Sequence, residues 1–128
     1  MNLLVDTHVL IWFLDDSNQL GAKHYQTLED PGTRTFVSAI SLFEMTTKAR
    51  IGKLELPKQF QDRLTDIYSV FGFASLDLRP QHADLAGRLP GKHKDPFDRL
   101  LAAQAIIEDM AIMTIDTRIG DLGAKVVW

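Results

Sequence analysis

Short apolar runs alternate with longer, helix-spaced stretches along the chain. Asn2 to Val5 is apolar without alternation and stops at Asp6, the pattern of a short strand buried on both faces. Val9 to Leu14 continues apolar after Thr7-His8 and suits a helix capped by Asp6 or Thr7. Leu20 to Glu29 predicts a second helix, closed by the turn residues Asp30-Pro31-Gly32. Thr35 to Val37 predicts a strand running into a helix that Ser38 caps and Gly52 ends after Arg50. Behind Pro57, the residues Phe60, Leu64, Ile67, Tyr68 and Phe71 keep helical spacing and predict one helix whose stripe faces either the core or a partner. Phe73 to Leu78 predicts a strand, Pro80 to Leu89 a short helix, Ala111 to Ile115 a buried strand and Lys125 to Trp128 a last strand. Thr117 to Gly123 reads as a loop or broken turn.

The longest apolar stretch begins at an acid. In Asp95-Pro96-Phe97-Asp98, the Asp side chain can cap free N–H groups while proline at the first helical position loses no needed donor, so a helix starts at Asp95. From Leu100 to Ile107 only Gln104 is polar, which predicts a central helix covered by protein on most faces. At about 100° per residue, Asp95, Asp98 and Ala102 share a stripe. Asp95 reads as the cap, whereas Asp98 either complements the helix dipole or carries chemistry.

Strands alternating with helices predict an α/β domain over residues 1–128, three-layer α/β/α with a mostly parallel sheet of about five strands. In such sheets the ligand crevice lies outside the carboxyl ends of the strands. Asp6 and Asp116 stand at such ends, and Glu44 and Asp98 lie in early turns of helices directed at the same edge. Clustered carboxylates repel unless some are protonated or a cation compensates them. Oxygen donors without thiolates suit Mg²⁺ or Mn²⁺, which can activate water against a phosphodiester.

Composition narrows the alternatives. There is no cysteine, which excludes thiolate metal sites, cysteine nucleophiles and disulfides. His8, His24, His82 and His93 lack zinc-ligand spacing, although His93 could meet a substrate phosphate. The net charge of −3 argues against a general nucleic-acid coat, yet Lys48, Arg50 and Lys53, and again Arg88, Lys92, His93 and Lys94, form local basic groups. Lys48 stands four residues after Glu44, and so either pairs with it or faces substrate. No apolar run reaches membrane-spanning length, and Asp6 interrupts the N-terminus too early for a signal peptide, so a soluble, cytoplasmic protein with no membrane partner is expected.

Leu4-Val5-Asp6-Thr7-His8, Ser38-Ala39-Ile40-Ser41-Leu42-Phe43-Glu44, Asp95-Pro96-Phe97-Asp98-Arg99-Leu100-Leu101-Ala102 and Thr114-Ile115-Asp116, in that order and spacing, resemble a PIN domain, and more narrowly the VapC-like toxins of toxin–antitoxin pairs. The resemblance covers the whole chain. It implies a Mg²⁺- or Mn²⁺-dependent endoribonuclease, usually a homodimer, restrained by a cognate antitoxin protein. The family's acidic quartet maps onto Asp6, Glu44, Asp98 and Asp116, with Asp6 and Asp98 as primary metal ligands. Thr7, Ser41 and Thr114 would support them, Thr114 by orienting Asp116, while Arg99, His93 and Lys48 would meet the RNA. The alternative is a catalytically inactive PIN-like module that binds RNA or a partner protein. A phosphatase with Asp6 as nucleophile is disfavoured, because His8 stands where a second acid is needed.

Overall fold

Leu3, Leu4 and Val5 have almost no exposed surface, because their strand, β1 (Asn2–Val5), is the middle of the sheet. The computed structural model describes residues 1–128. Parallel neighbours flank β1: β2 (Arg34–Ser38), with Leu4 level with Phe36, and β4 (Ala111–Met113), with Leu4 level with Ile112. β3 (Ala74–Leu76) pairs with β2, and β5 (Val126–Val127) with β4, giving the all-parallel order β3-β2-β1-β4-β5. The order reverses between β1 and β4. That is where a parallel sheet opens a crevice at its carboxyl edge.

Side chains alternate across the sheet, and each face has its own core. Leu3, Val5, Val37 and Met113 pack with α1 (Thr7–Leu14), α2 (Ala22–Glu29) and α4 (Asp66–Phe71). Leu4, Phe36, Leu76 and Ile112 pack with α5 (Pro80–Arg88), α6 (Pro96–Ile107) and α7 (Thr117–Asp121). The fold is therefore three-layer α/β/α. α3 (Ala39–Arg50) sends Met45 to the first core and Ile40 to the second.

The predicted helix behind Pro57 is broken. A single 3-10 turn (Lys58–Phe60) and the six-residue α4 replace it, yet Phe60, Leu64 and Ile67 are all buried in the first core. Periodicity read Phe60, Leu64 and Ile67 correctly, but Tyr68 is half-buried and Phe71 exposed, and the backbone joining them is not one helix, since two short pieces satisfy the same spacing. The stretch expected as a loop after Asp116 is instead α7, capped by Asp116, whose Oδ1 accepts from the Arg118 N–H at 2.9 Å. β3, β4 and β5 are shorter than predicted, and α2 starts at Ala22 rather than Leu20. In α6, Leu101 to Ala105 are buried as expected, whereas Ile106 and Ile107 reach the surface. No helix is long and apolar enough to cross a membrane.

Candidate active site

Val5 ends β1, and Asp6 follows at the N-cap position of α1 with an extended backbone, but its side chain caps nothing. The carboxylate turns instead to the residue just past β4, where Oδ2 accepts from the Thr114 hydroxyl at 2.7 Å. Oδ1 is buried with no partner, and Asp6 is only 2% exposed. Desolvation raises the Asp6 pKa above the ordinary carboxylate range; the Thr114 hydrogen bond opposes this, while the charges of Asp98 and Glu44 add to it and His8 offsets part. The Thr114 hydroxyl also accepts from the Asp116 N–H at 3.0 Å, so one side chain ties the acid after β1 to the acid after β4.

Asp98 comes from α6. Asp95 Oδ1 accepts from the N–H groups of Phe97 and Asp98, at 2.9 and 3.2 Å, which fixes where the helix begins and hence where Asp98 points. Asp98 Oδ2 lies 2.7 Å from His93 Nε2. Burial raises the Asp98 pKa, the His93 hydrogen bond lowers it, and Asp95 and Asp116 push it up again. Behind this turn Gln104, the polar residue of the apolar helix body, accepts from the Ser38 hydroxyl at 2.6 Å and donates to the Asp77 carbonyl at 3.3 Å. α6 is thus tied to the end of β2.

Glu44 is only 3% exposed on α3. Its Oε2 accepts from Lys48 Nζ at 2.6 Å, and its Oε1 is buried without a partner. On the same helix the buried Ser41 hydroxyl accepts from Thr7 at 2.9 Å, which joins α3 to the first turn of α1. Asp116 differs from the other acids in being held by a guanidinium. Arg118 donates from Nε to Oδ1 at 3.0 Å and from Nη2 to Oδ2 at 2.8 Å, which keeps the Asp116 pKa below the usual range.

The donor atoms of His93, Asp98 and Asp116 all lie within 4.8 Å of one another, close enough to share one cation. Asp6 and Glu44 are not in that tight group, and the charges of Asp98 and Glu44 act on Asp6 across the edge. A hard divalent ion fits this donor set, because oxygen ligands dominate it and two buried carboxylate oxygens, Asp6 Oδ1 and Glu44 Oε1, have no hydrogen-bond partner.

Lys48 takes the pairing alternative with Glu44, whereas Arg99 is placed differently from expectation. Arg99, expected at the RNA backbone, spends its guanidinium on the carbonyls of Ala86, Leu89 and His93, and so clamps the loop between α5 and α6. Lys48 is engaged by Glu44, and His93 by Asp98. The guanidinium beside the acids is that of Arg118, which sequence reasoning missed. Its signal was its position two residues past Asp116, where a capped first turn brings the side chain back over the cap.

A family model described as the PIN domain matches residues 3–125. No curated protein matches the chain by sequence. Among solved structures, VapBC2 from Rickettsia felis, bound to a DNA fragment from their promoter, is 19% identical with a TM-score of 0.74, over 100% of this chain and 99% of that one. DNA-bound VapBC from Salmonella typhimurium is 19% identical with a TM-score of 0.72, over 99% and 97%. VapBC-1 from nontypeable Haemophilus influenzae is 16% identical with a TM-score of 0.71, again over 99% and 97%. At such identity the likeness is one of fold.

Proposed function

The chain belongs to the PIN domain family, and from that premise we propose that residues 1–128 act as one PIN-like domain with Mg²⁺- or Mn²⁺-dependent endoribonuclease activity, the VapC-like toxin of a toxin–antitoxin pair. The observation that carries the proposal is the pair of buried, partnerless oxygens, Asp6 Oδ1 and Glu44 Oε1, at the edge where Asp98, Asp116 and His93 converge. Leaving such oxygens dry and unpaired is costly, and a cation removes the cost. Asp6, Asp98, Glu44 and Asp116 are the residues that would hold it. A bound divalent ion supplies an activated water and neutralises charge on the leaving oxygen.

The protein's own groups set that site up. Thr114 fixes the Asp6 carboxylate and the Asp116 backbone together. His93 orients Asp98, the Asp95 cap sets its height, and the Lys48 ammonium limits the charge that Glu44 adds. A cytoplasmic homodimer that binds a cognate antitoxin protein completes the reading. The VapBC likenesses support the antitoxin partner, and Phe43, Ile51 and Ile115 each leave a large apolar side chain exposed for a protein contact.

The test is cleavage of RNA by purified protein with Mg²⁺ or Mn²⁺, against EDTA and against Asp98→Asn. Cleavage is expected only with metal, and the variant should be slower by at least about 100-fold, roughly 2.7 kcal/mol in barrier. Metal-independent cleavage, or full activity in the variant, would remove the mechanism. RNA binding without turnover under any metal would leave the inactive binding module in its place.

A further inference from the structure

Next to the acids lies a cleft of about 350 Å³ whose walls include Lys92, His93, Lys94, Arg118 and Asp121. Lys92 and Lys94 are exposed, and neither meets a carboxylate at ion-pair distance. His93 is the partition: its ring is bonded to Asp98 and also lines the cleft. Three cations therefore face one acid, Asp121, directly beside an edge built from carboxylates. A site for a cation alone gains nothing from such neighbours. A polyanion passing the acids is held by them.

Arg118 belongs to both sides. Its side chain is 64% exposed, yet it occupies both oxygens of Asp116, the carboxylate that also comes within 4.8 Å of the Asp98 and His93 donor atoms. A guanidinium and a divalent ion compete for those oxygens. An exposed ion pair is weakly held, and the planar fork of arginine matches phosphate as well as it matches carboxylate.

Building on the ribonuclease reading above, we propose that this cleft seats a backbone phosphate of single-stranded RNA adjacent to the scissile one, and that Arg118 leaves Asp116 to clamp it. The exchange makes the two ligands cooperative. The phosphate draws Arg118 away and frees Asp116 for the cation, and the cation at Asp116 releases Arg118 to the phosphate.

The test uses anisotropy of a fluorescein-labelled single-stranded 2′-O-methyl RNA in EDTA over a salt series, and calorimetric titration of Mn²⁺ without RNA. Lys92→Gln combined with Lys94→Gln should weaken RNA binding about tenfold and reduce the slope of log affinity against log salt by about 0.7, the share of the one phosphate seated there. Arg118→Gln should weaken RNA binding and tighten Mn²⁺ severalfold. An unchanged salt slope in the lysine variant, or an oligoglutamate probe binding as well as RNA, overturns the phosphate cleft. Unchanged or weaker Mn²⁺ binding in Arg118→Gln overturns the exchange and leaves Arg118 as a support for Asp116. If the wild type cleaves RNA while the lysine variant binds like wild type, only the cleft falls; if the wild type neither cleaves nor binds RNA with any metal, the ribonuclease reading falls first.

Discussion

Asp6 stands where a capping residue would stand, yet it turns its carboxylate to Thr114 and leaves one oxygen dry. Desolvation, the main cause, raises its folded-state pKa above the unfolded value near about 3.9, so the folded chain holds the proton more tightly. The sign follows: this group favours the fold below the unfolded pKa, and that favour is lost as pH rises through the raised one. In EDTA, Asp6→Asn should therefore gain stability relative to wild type as pH rises above about 4 in urea denaturation, and a pH-independent difference would refute the buried-acid account. Thr114→Val keeps the shape and removes the shared hydroxyl. It should cost about 1–3 kcal/mol and weaken Mn²⁺ binding, read by denaturation and calorimetry. The places of the four acids in the fold were legible in the sequence, because Asp6 and Asp116 follow strands and Glu44 and Asp98 lie on helices that the pattern predicts. Arg118 was not, because its partner is set by a local helix that the sequence pattern left as a loop.

α6 shows what an element contributes beyond its residues. The Asp95 cap sets its start, the burial of Leu101 to Ala105 sets its rotation, and Gln104 bonds it to β2, so Asp98 has little freedom. Asp95→Ala should cost about 1 kcal/mol by thermal or urea unfolding, and RNA cleavage should fall by more than the folded fraction does, because Asp98 loses its fixed height. Both readings of α6 were available from Asp-Pro and the apolar body. The pieces around Phe60 and Ile67 were not, since apolar spacing reports which residues are buried and says nothing of the bends between them.

At the scale of the molecule, the strand order β3-β2-β1-β4-β5 brings the ends of β1 and β4 together at the reversal point, where the Thr114 hydroxyl bridges Asp6 and Asp116. Alternating strands and helices foretold the layers and the carboxyl edge, but the pairing of β1 with β4 is non-local and left no mark in either stretch. On the proposed reading, a cation bound at that edge is a structural partner as well as a chemical one. Mn²⁺ at about 100 times its Kd should raise the melting temperature by roughly 10 °C, reversibly with EDTA, and the rise should vanish in Asp98→Asn.

The hydrogen bond from Thr114 to Asp6 closes a span of 108 residues. A ribosome reaches Thr114 only after adding 108 residues beyond Asp6, so until then the acids exist on the chain without existing as a site. On the reading proposed here, a nascent toxin carries no nuclease until Thr114 has been made and β4 has paired with β1. The interval between emergence and closure is also the time in which an antitoxin can arrive first.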